Sequence, residues 1–290
     1  MKNTAPSNSP EGGGTRAQFP FFGGIKGGLA LFLLFFFLSC TRVPITGRRQ
    51  MNLLQEGDLM KMSLTEYNKF LGEHPAVPDS DPDAQLVKKA GKNIQAAVEK
   101  FMNANPKYKK RIAGYNWQFN LVKDDKTVNA WCMPGGKVVV YSGLLPVTEN
   151  ETALAVVMGH EIAHAIARHG NERMSQGLIV QVGGAALSVA LSTQAQGTQD
   201  LFNQSYGAAS GLGVLAYSRK HESEADKLGL VFMAMAGYDP KEAVAFWERM
   251  AKASKGGGMA ILSTHPSDEK RIADIKKFLP KALKYYHPVQ

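Results

Sequence analysis

Apolar and polar residues interleave along most of this chain in runs long enough for helices. They do so over 56–72, 82–102, 150–169, 172–193, 200–216 and from 217 to a stop at Gly237. Asp81 followed by Pro82 starts the second of these, and Asn150 or Thr148 starts the third, with Gly170 after its end. Asp239-Pro240 opens another helix, and a last one begins near Ser267. Only one region alternates with period two. "YNWQFNLV" (115–122), "TVNAWCM" (127–133) and "KVVVYSG" (137–143) read as strands, the last two joined by Pro134-Gly135-Gly136 as a hairpin. The pattern predicts an α+β fold, a small antiparallel β-sheet on a mostly helical body. At 290 residues and 44% hydrophobic, there is material for one good-sized core.

The beginning departs from this pattern. Residues 1–28 are dominated by Gly, Pro, Ser and Asn, and Leu29–Leu38 is an uninterrupted apolar run. Ten residues are half of what a bilayer-spanning helix needs, about 20. They suit the core of a signal peptide behind a positive leader. The run ends in Ser39-Cys40, which resembles a bacterial lipoprotein signal with lipid on Cys40. Cleavage elsewhere and an uncleaved anchor are the other readings. The expected organisation is signal peptide 1–39, lipidated N-terminus and linker 40–55, and one catalytic domain 56–285. Localisation is then periplasmic, on the membrane. The apolar stretch 177–192 holds Gln181 and is short, so it reads as part of a soluble helix.

Charge changes little in this picture. The net charge of +9 becomes +7 once Lys2, Arg16, Lys26 and Glu11 are removed, three positives and one negative. The densest basic run, "KYKKR" at 107–111, reads as a solvated helix end before it reads as a membrane contact. No nucleic-acid motif accompanies it. With Cys40 lipidated, Cys132 stands alone; otherwise a Cys40–Cys132 bridge is the fallback.

The chemistry starts at "VVMGHEIAHAIARHG" (156–170). His160 and His164 lie one turn apart on one helix face, so both imidazoles can reach one ion. Glu161, about 100° round the helix, flanks it without taking a ligand position. Composition yields about 0.01 such H-E-x-x-H patterns by chance, so the signal is specific. A catalytic zinc needs a third protein ligand and an open position. The stretch "YSRKHESEADKLG" (217–229) offers Glu222 and, on the same face, Asp226. Glu222 is preferred as the ligand, with Asp226 behind it accepting from a zinc-bound histidine. Glu224 points about 200° away, and with His221 it is expected on a solvated face.

Taken together, "GHEIAHAIARH", "SRKHESEADKLG" and "STHPSDEKRI" resemble the M48 family of zinc metallopeptidases, over roughly residues 45–285. Relatives of that kind include HtpX-type proteases, CAAX prenyl proteases and periplasmic lipoproteins. The resemblance implies a zincin-like, gluzincin domain. It implies one Zn²⁺ per chain on His160, His164 and Glu222, with Glu161 as general base. It implies that Asn129, Ala130 and Trp131, in a segment like the family's N-A-x-x-x-P-G-G, offer backbone to an extended substrate. It also brings the loop of His265 to the metal. There His265 either stabilises the oxyanion, together with Arg271, or fills zinc's fourth position at rest. The implied substrates are misfolded or misassembled envelope proteins. The rival function is a chaperone that binds client strands at an edge strand while its activity stays latent.

Overall fold

The computed structural model describes residues 40–192, 195–206, 217–254, 261–262, 265 and 269–288. The expected signal peptide, the Gly256–Gly258 loop, the cap at Ser267 and the second half of the helix expected over 200–216 lie outside them. So does the side chain of Cys40.

The chain opens with a hairpin, β1 (Cys40–Arg42) and β2 (Arg49–Met51). Helices α1 (Glu56–Glu73), α2 (Pro82–Asn103) and the single turn α3 (Pro106–Lys109) follow. Strands β3 (Gln118–Val122), β4 (Ala130–Met133) and β5 (Lys137–Tyr141) lead into a short α4 (Leu145–Thr148). The rest is helical: α5 (Glu151–Ala167), α6 (His169–Ser192), α7 (Ala195–Tyr206), α8 (Arg219–Met235), α9 (Glu242–Ser254) and α10 (Glu269–Ala282).

Local chemistry sets several of these ends. Asp81 Oδ1 accepts from the backbone N–H groups of Asp83 (2.8 Å) and Ala84 (3.3 Å), and Asn150 Oδ1 from Ala153 (2.8 Å). Ser218 caps α8 by accepting from His221 N–H at 3.2 Å. The stop of α5 differs from expectation. Arg168, at φ +58°, ends the helix, and Gly170 lies inside α6, where the Tyr206 ring leaves no room for a side chain. Arg111 also departs from its expected solvated place. It is buried, and its guanidinium donates to Ile166 O (2.7 Å) at the carbonyl end of α5.

The three-stranded sheet has order β3-β5-β4. Hairpin partner β4 runs antiparallel to β5, but β3 runs parallel to it, so this sheet is mixed. After β3 the chain crosses by one strand position, and β5 returns into the slot left open. The β4–β5 turn is closed by Gly136 N–H on Met133 O (3.1 Å), with Gly135 at φ +87° and Gly136 at +79°. Both faces of the sheet are covered. Phe119, Leu121, Ala130, Cys132, Val138 and Val140 share a core with α2 and α5. Val122, Trp131, Met133, Val139 and Tyr141 share one with α1, α6 and α7. That two-sided burial is why β5 reads as an unbroken apolar run.

Residues 40–55 behave as part of the body. Val43 and Gln50 are buried, and the β1–β2 hairpin packs on α6. No helix among the described residues is long and apolar enough to cross a membrane.

Helices α5 and α8 approach at Gly159 and Gly229. A Cβ on Gly229 would lie 2.9 Å from the backbone N of His160 and 3.0 Å from the carbonyl carbon of Gly159. Only backbone stands there, so nothing can rotate aside. Gly229→Ala is therefore expected to destabilise by about 1–3 kcal/mol through overpacking. That is despite a gain of about 1 kcal/mol in helix propensity. Denaturant unfolding of the metal-free protein checks this; an unchanged or higher midpoint would contradict it.

Candidate metal centre

The Gly159–Gly229 approach places the polar residues of α5 and α8 face to face in a buried pocket. His160 and His164 come from α5, Glu222 from the first turn of α8, and His265 from the chain between α9 and α10. Their ligand-type atoms all lie within 4.8 Å of one another. His164 Nε2 is 3.0 Å from His160 Nε2 and 3.2 Å from Glu222 Oε1. His160 Nε2 is 3.3 Å from Glu222 Oε2, and His265 Nδ1 is 3.2 Å from His160 Nε2. Ligands 2.0–2.1 Å from a tetrahedral ion stand about 3.3 Å from each other, so the spacing fits one.

The donor set points the same way. His160 Nδ1 faces Asp226 Oδ1 at 2.9 Å, which leaves the Nε2 lone pair for the pocket. Lone pairs and a carboxylate thus converge on one point, an arrangement that a cation satisfies. Glu222 is held far below the usual carboxylate range. Burial opposes this but is overcome by His265 and His160. Burial lowers His160 too, yet the Glu222 charge and Asp226 outweigh it and bring it to about 9, so this point favours positive charge, as a proton on Nε2 or as a cation in the proton's place. Burial drives His164 well down.

Glu161 sits beside the cluster with 3% of its surface exposed. Its Oε1 has no hydrogen-bond partner, and His265 Nε2 lies 3.5 Å from it. Burial raises its pKa, with His265 and His160 pulling the other way. A buried carboxylate with one oxygen free of hydrogen bonds and its pKa raised by burial suits a general base.

Behind the pocket, Asp226 is gripped from both sides. Arg271 donates through Nε to Oδ2 (2.9 Å) and through Nη2 to Oδ1 (2.7 Å), and its guanidinium lies 3.4 Å over the Trp247 ring. The third nitrogen of the guanidinium, Nη1, faces the cluster itself, 3.4 Å from Glu222 Oε2 and donating to His265 O at 3.4 Å.

The second face of α8 corrects an expectation. Glu224 and His221, expected in solvent, are both buried. Glu224 does point away from the ligand cluster, as the helix geometry requires, but the face it occupies is covered by α6 and the β1–β2 hairpin. Glu224 Oε2 meets His169 Nε2 at 3.0 Å and Arg48 Nε at 2.6 Å, and Thr46 bonds its other oxygen. Arg48 continues to Glu172 at 2.7 and 2.6 Å, and Glu172 meets His221 Nε2 at 3.1 Å. Burial pushes His169 down to about 4, against the pull of Glu224, so it is neutral near pH 7. Its Nδ1 lies 2.9 Å from His164 Nδ1. Tyr217 stacks on the His164 ring at 4.0 Å, under the Arg173 guanidinium. Sequence reasoning missed His169, Arg48, Glu172 and Tyr217. His169 alone left a trace, as a third histidine five residues after His164.

Strand β4 is the outer strand of its sheet among the described residues, with Val128 O taken by Ile261 N–H at 3.0 Å. The side chains of Ala130 and Trp131 belong to the core, Trp131 edge-on to Phe70 at 5.2 Å. Asn129 Oδ1 accepts from Ala130 N–H, and its carbonyl from Tyr141 N–H. Cys132 is a free buried thiol raised by burial, so the fallback bridge to Cys40 is not formed.

Residues 88–279 match the family described as Peptidase family M48. The chain is 32% identical over 253 residues to "Mitochondrial metalloendopeptidase OMA1" of Schizosaccharomyces pombe, covering 86% of this chain and 69% of that protein. It is 28% identical to human "Metalloendopeptidase OMA1, mitochondrial", covering 92% of this chain and 51% of that one. It is 29% identical to the "Beta-barrel assembly-enhancing protease" of Escherichia coli (strain K12), over 55% of this chain and 34% of that one. The chain thus spans about half or less of several of these relatives.

The grip on Asp226 has a measurable consequence. Asp226→Asn keeps the shape but loses the charge that orients His160. Affinity for zinc, read by competition with a chelator, is expected to fall by about 10- to 100-fold.

Proposed function

The chain belongs to peptidase family M48, and with it to the metalloendopeptidases; we propose that it cuts misfolded or misassembled cell-envelope proteins using one zinc ion held by His160, His164 and Glu222. One observation carries this reading: two histidines and a carboxylate converge on a point beside Glu161, whose buried Oε1 accepts no hydrogen bond. The ion would supply Lewis acidity for the scissile carbonyl and the attacking water. Glu161 takes the proton of that water and returns it to the leaving amine. Asp226 and Arg271 hold His160 in its Nε2-ligating tautomer. Of the segment Asn129–Trp131, Ala130 turns its backbone away from β5, and there an extended substrate would pair.

Support for the envelope comes from two sides. The E. coli relative is named for β-barrel assembly, and Ser39-Cys40 follows a ten-residue apolar run. Lipid on Cys40 would attach at the first residue of β1, leaving no spacer between membrane and folded domain. The curated OMA1 relatives are named as mitochondrial, so the compartment is the part of this reading most open to test. Cys40→Ser is expected to abolish fatty-acid labelling; labelling that persists would refute the lipid anchor.

The fourth member of the cluster, His265, lies among the ligand atoms, with Nδ1 3.0 Å from Glu222. That position supports its role as a ligand at rest rather than as an oxyanion donor. His265→Ala is then expected to raise proteolysis of an unfolded protein. A variant that loses activity but keeps zinc would assign the oxyanion role instead.

Glu161→Gln tests the whole reading. It is expected to bind one zinc per chain and to lower the rate on an unfolded protein by about 10²- to 10⁴-fold. Full activity in this variant would remove Glu161 from the chemistry.

A further inference from the structure

His164 is the ligand with the least obvious support. His160 has Asp226 behind it, and Asp226 has Arg271. Behind His164, among the described residues, stands no carboxylate in contact. There is His169, Nδ1 to Nδ1 at 2.9 Å, and behind His169 stands Glu224 at 3.0 Å.

The hydrogen-bond inventory gives this chain one direction. Glu224, paired with Arg48, is ionised and can only accept. His169 Nε2 must therefore donate to it. In neutral His169 that leaves Nδ1 as an acceptor, and the group facing it is His164 Nδ1. So His164 carries its proton on Nδ1 and presents a bare Nε2 to the cluster. Reversing the order would put a proton on His164 Nε2, 3.0 Å from His160 Nε2 and 3.2 Å from Glu222, where the ion belongs.

We propose that His169 and Glu224 are positioning residues that fix the ligating tautomer of His164, and that Arg48 of the β1–β2 hairpin holds them in register. The proposal rests on the metal reading given above. Arg48 lies 176 positions from Glu224 in the chain and bonds Glu224 and Glu172 together. Docking of the N-terminal hairpin is thereby wired to the metal centre through three side chains. The stacking of His221 on His169, at 4.5 Å and 20°, keeps the imidazole plane from turning out of that line.

Equilibrium binding of Zn²⁺ to the full chain, by chelator competition, tests this. It is paired with the visible spectrum of the Co²⁺ form and thermal unfolding of the metal-free protein. His169→Phe keeps a buried ring but cannot relay; affinity is expected to drop by about 10- to 100-fold. His169→Gln, which can accept from His164 and donate to Glu224, is expected to recover most of that loss. Arg48→Met is expected to weaken binding in the same direction by a smaller factor and to shift the Co²⁺ spectrum. Wild-type affinity and an unchanged spectrum in His169→Phe would overturn the relay, as would equal losses in Phe and Gln, which would mark a packing effect. A wild-type chain that binds no Zn²⁺ would overturn the metal reading itself, and the relay with it; that outcome is distinguishable because the variants are compared with wild type.

Discussion

Two helix backbones meet at Gly159 and Gly229, and the geometry of the centre depends on that contact. His160 directly follows Gly159, and Glu222 lies two turns before Gly229 on the same face of α8. Ligand atoms that must share an ion tolerate errors of only about 0.2 Å. Side chains at the crossing would set the helices wider apart, and His160 and Glu222 with them. The absence of a Cβ at two positions thus decides the spacing of groups elsewhere in the pocket.

Close approach has an electrostatic cost. Glu161, Glu222, Glu224, Asp226, Arg271 and five histidines of the two networks are buried together. Charges withdrawn from water are tolerated only when paired and hydrogen-bonded. The protein meets this with two brackets on α8. On one side Asp226, Arg271 and Trp247 enclose His160. On the other Glu224, Arg48, Glu172 and His221 enclose His169 and, through it, His164. A polar segment such as "RKHESEAD" is therefore compatible with burial, because its charges are matched on both faces.

The same geometry explains what could be read in the sequence. The H-E-x-x-H pair, the Glu222–Asp226 face, the capped starts of α2 and α5 and the β4–β5 hairpin follow from spacing within a few residues. The insertion of β5 between β3 and β4 does not, since strand order is set by a crossover. Nor does the burial of Glu224 and His221, whose cover arrives from the β1–β2 hairpin, 176 positions away in the case of Arg48. A segment with Pro44, Thr46 and Gly47 between short polar stretches looked like a linker because its partners are all distant. The stop of α5 at Arg168 was hidden by Gly170, a glycine needed for packing against Tyr206 rather than for turning.

What remains is the relation between this closed arrangement and a peptide substrate. The side chains of the cluster and Glu161 are all buried. Asp226 is clamped by Arg271, and His160 and His164 are fixed on the core helix α5. Two further groups stand against them from outside α5. Tyr217 stands before the first turn of α8 and is partly exposed. His265 belongs to no long helix, and its own N–H reaches back to Ile261 O at 2.8 Å. Because Ile261 N–H in turn bonds Val128 O, His265 is linked to the backbone just before β4. A strand that pairs with the outer side of β4 competes for the backbone to which this segment is attached. If a substrate strand pairs there, the link through Val128 and Ile261 connects that pairing to the segment that carries His265.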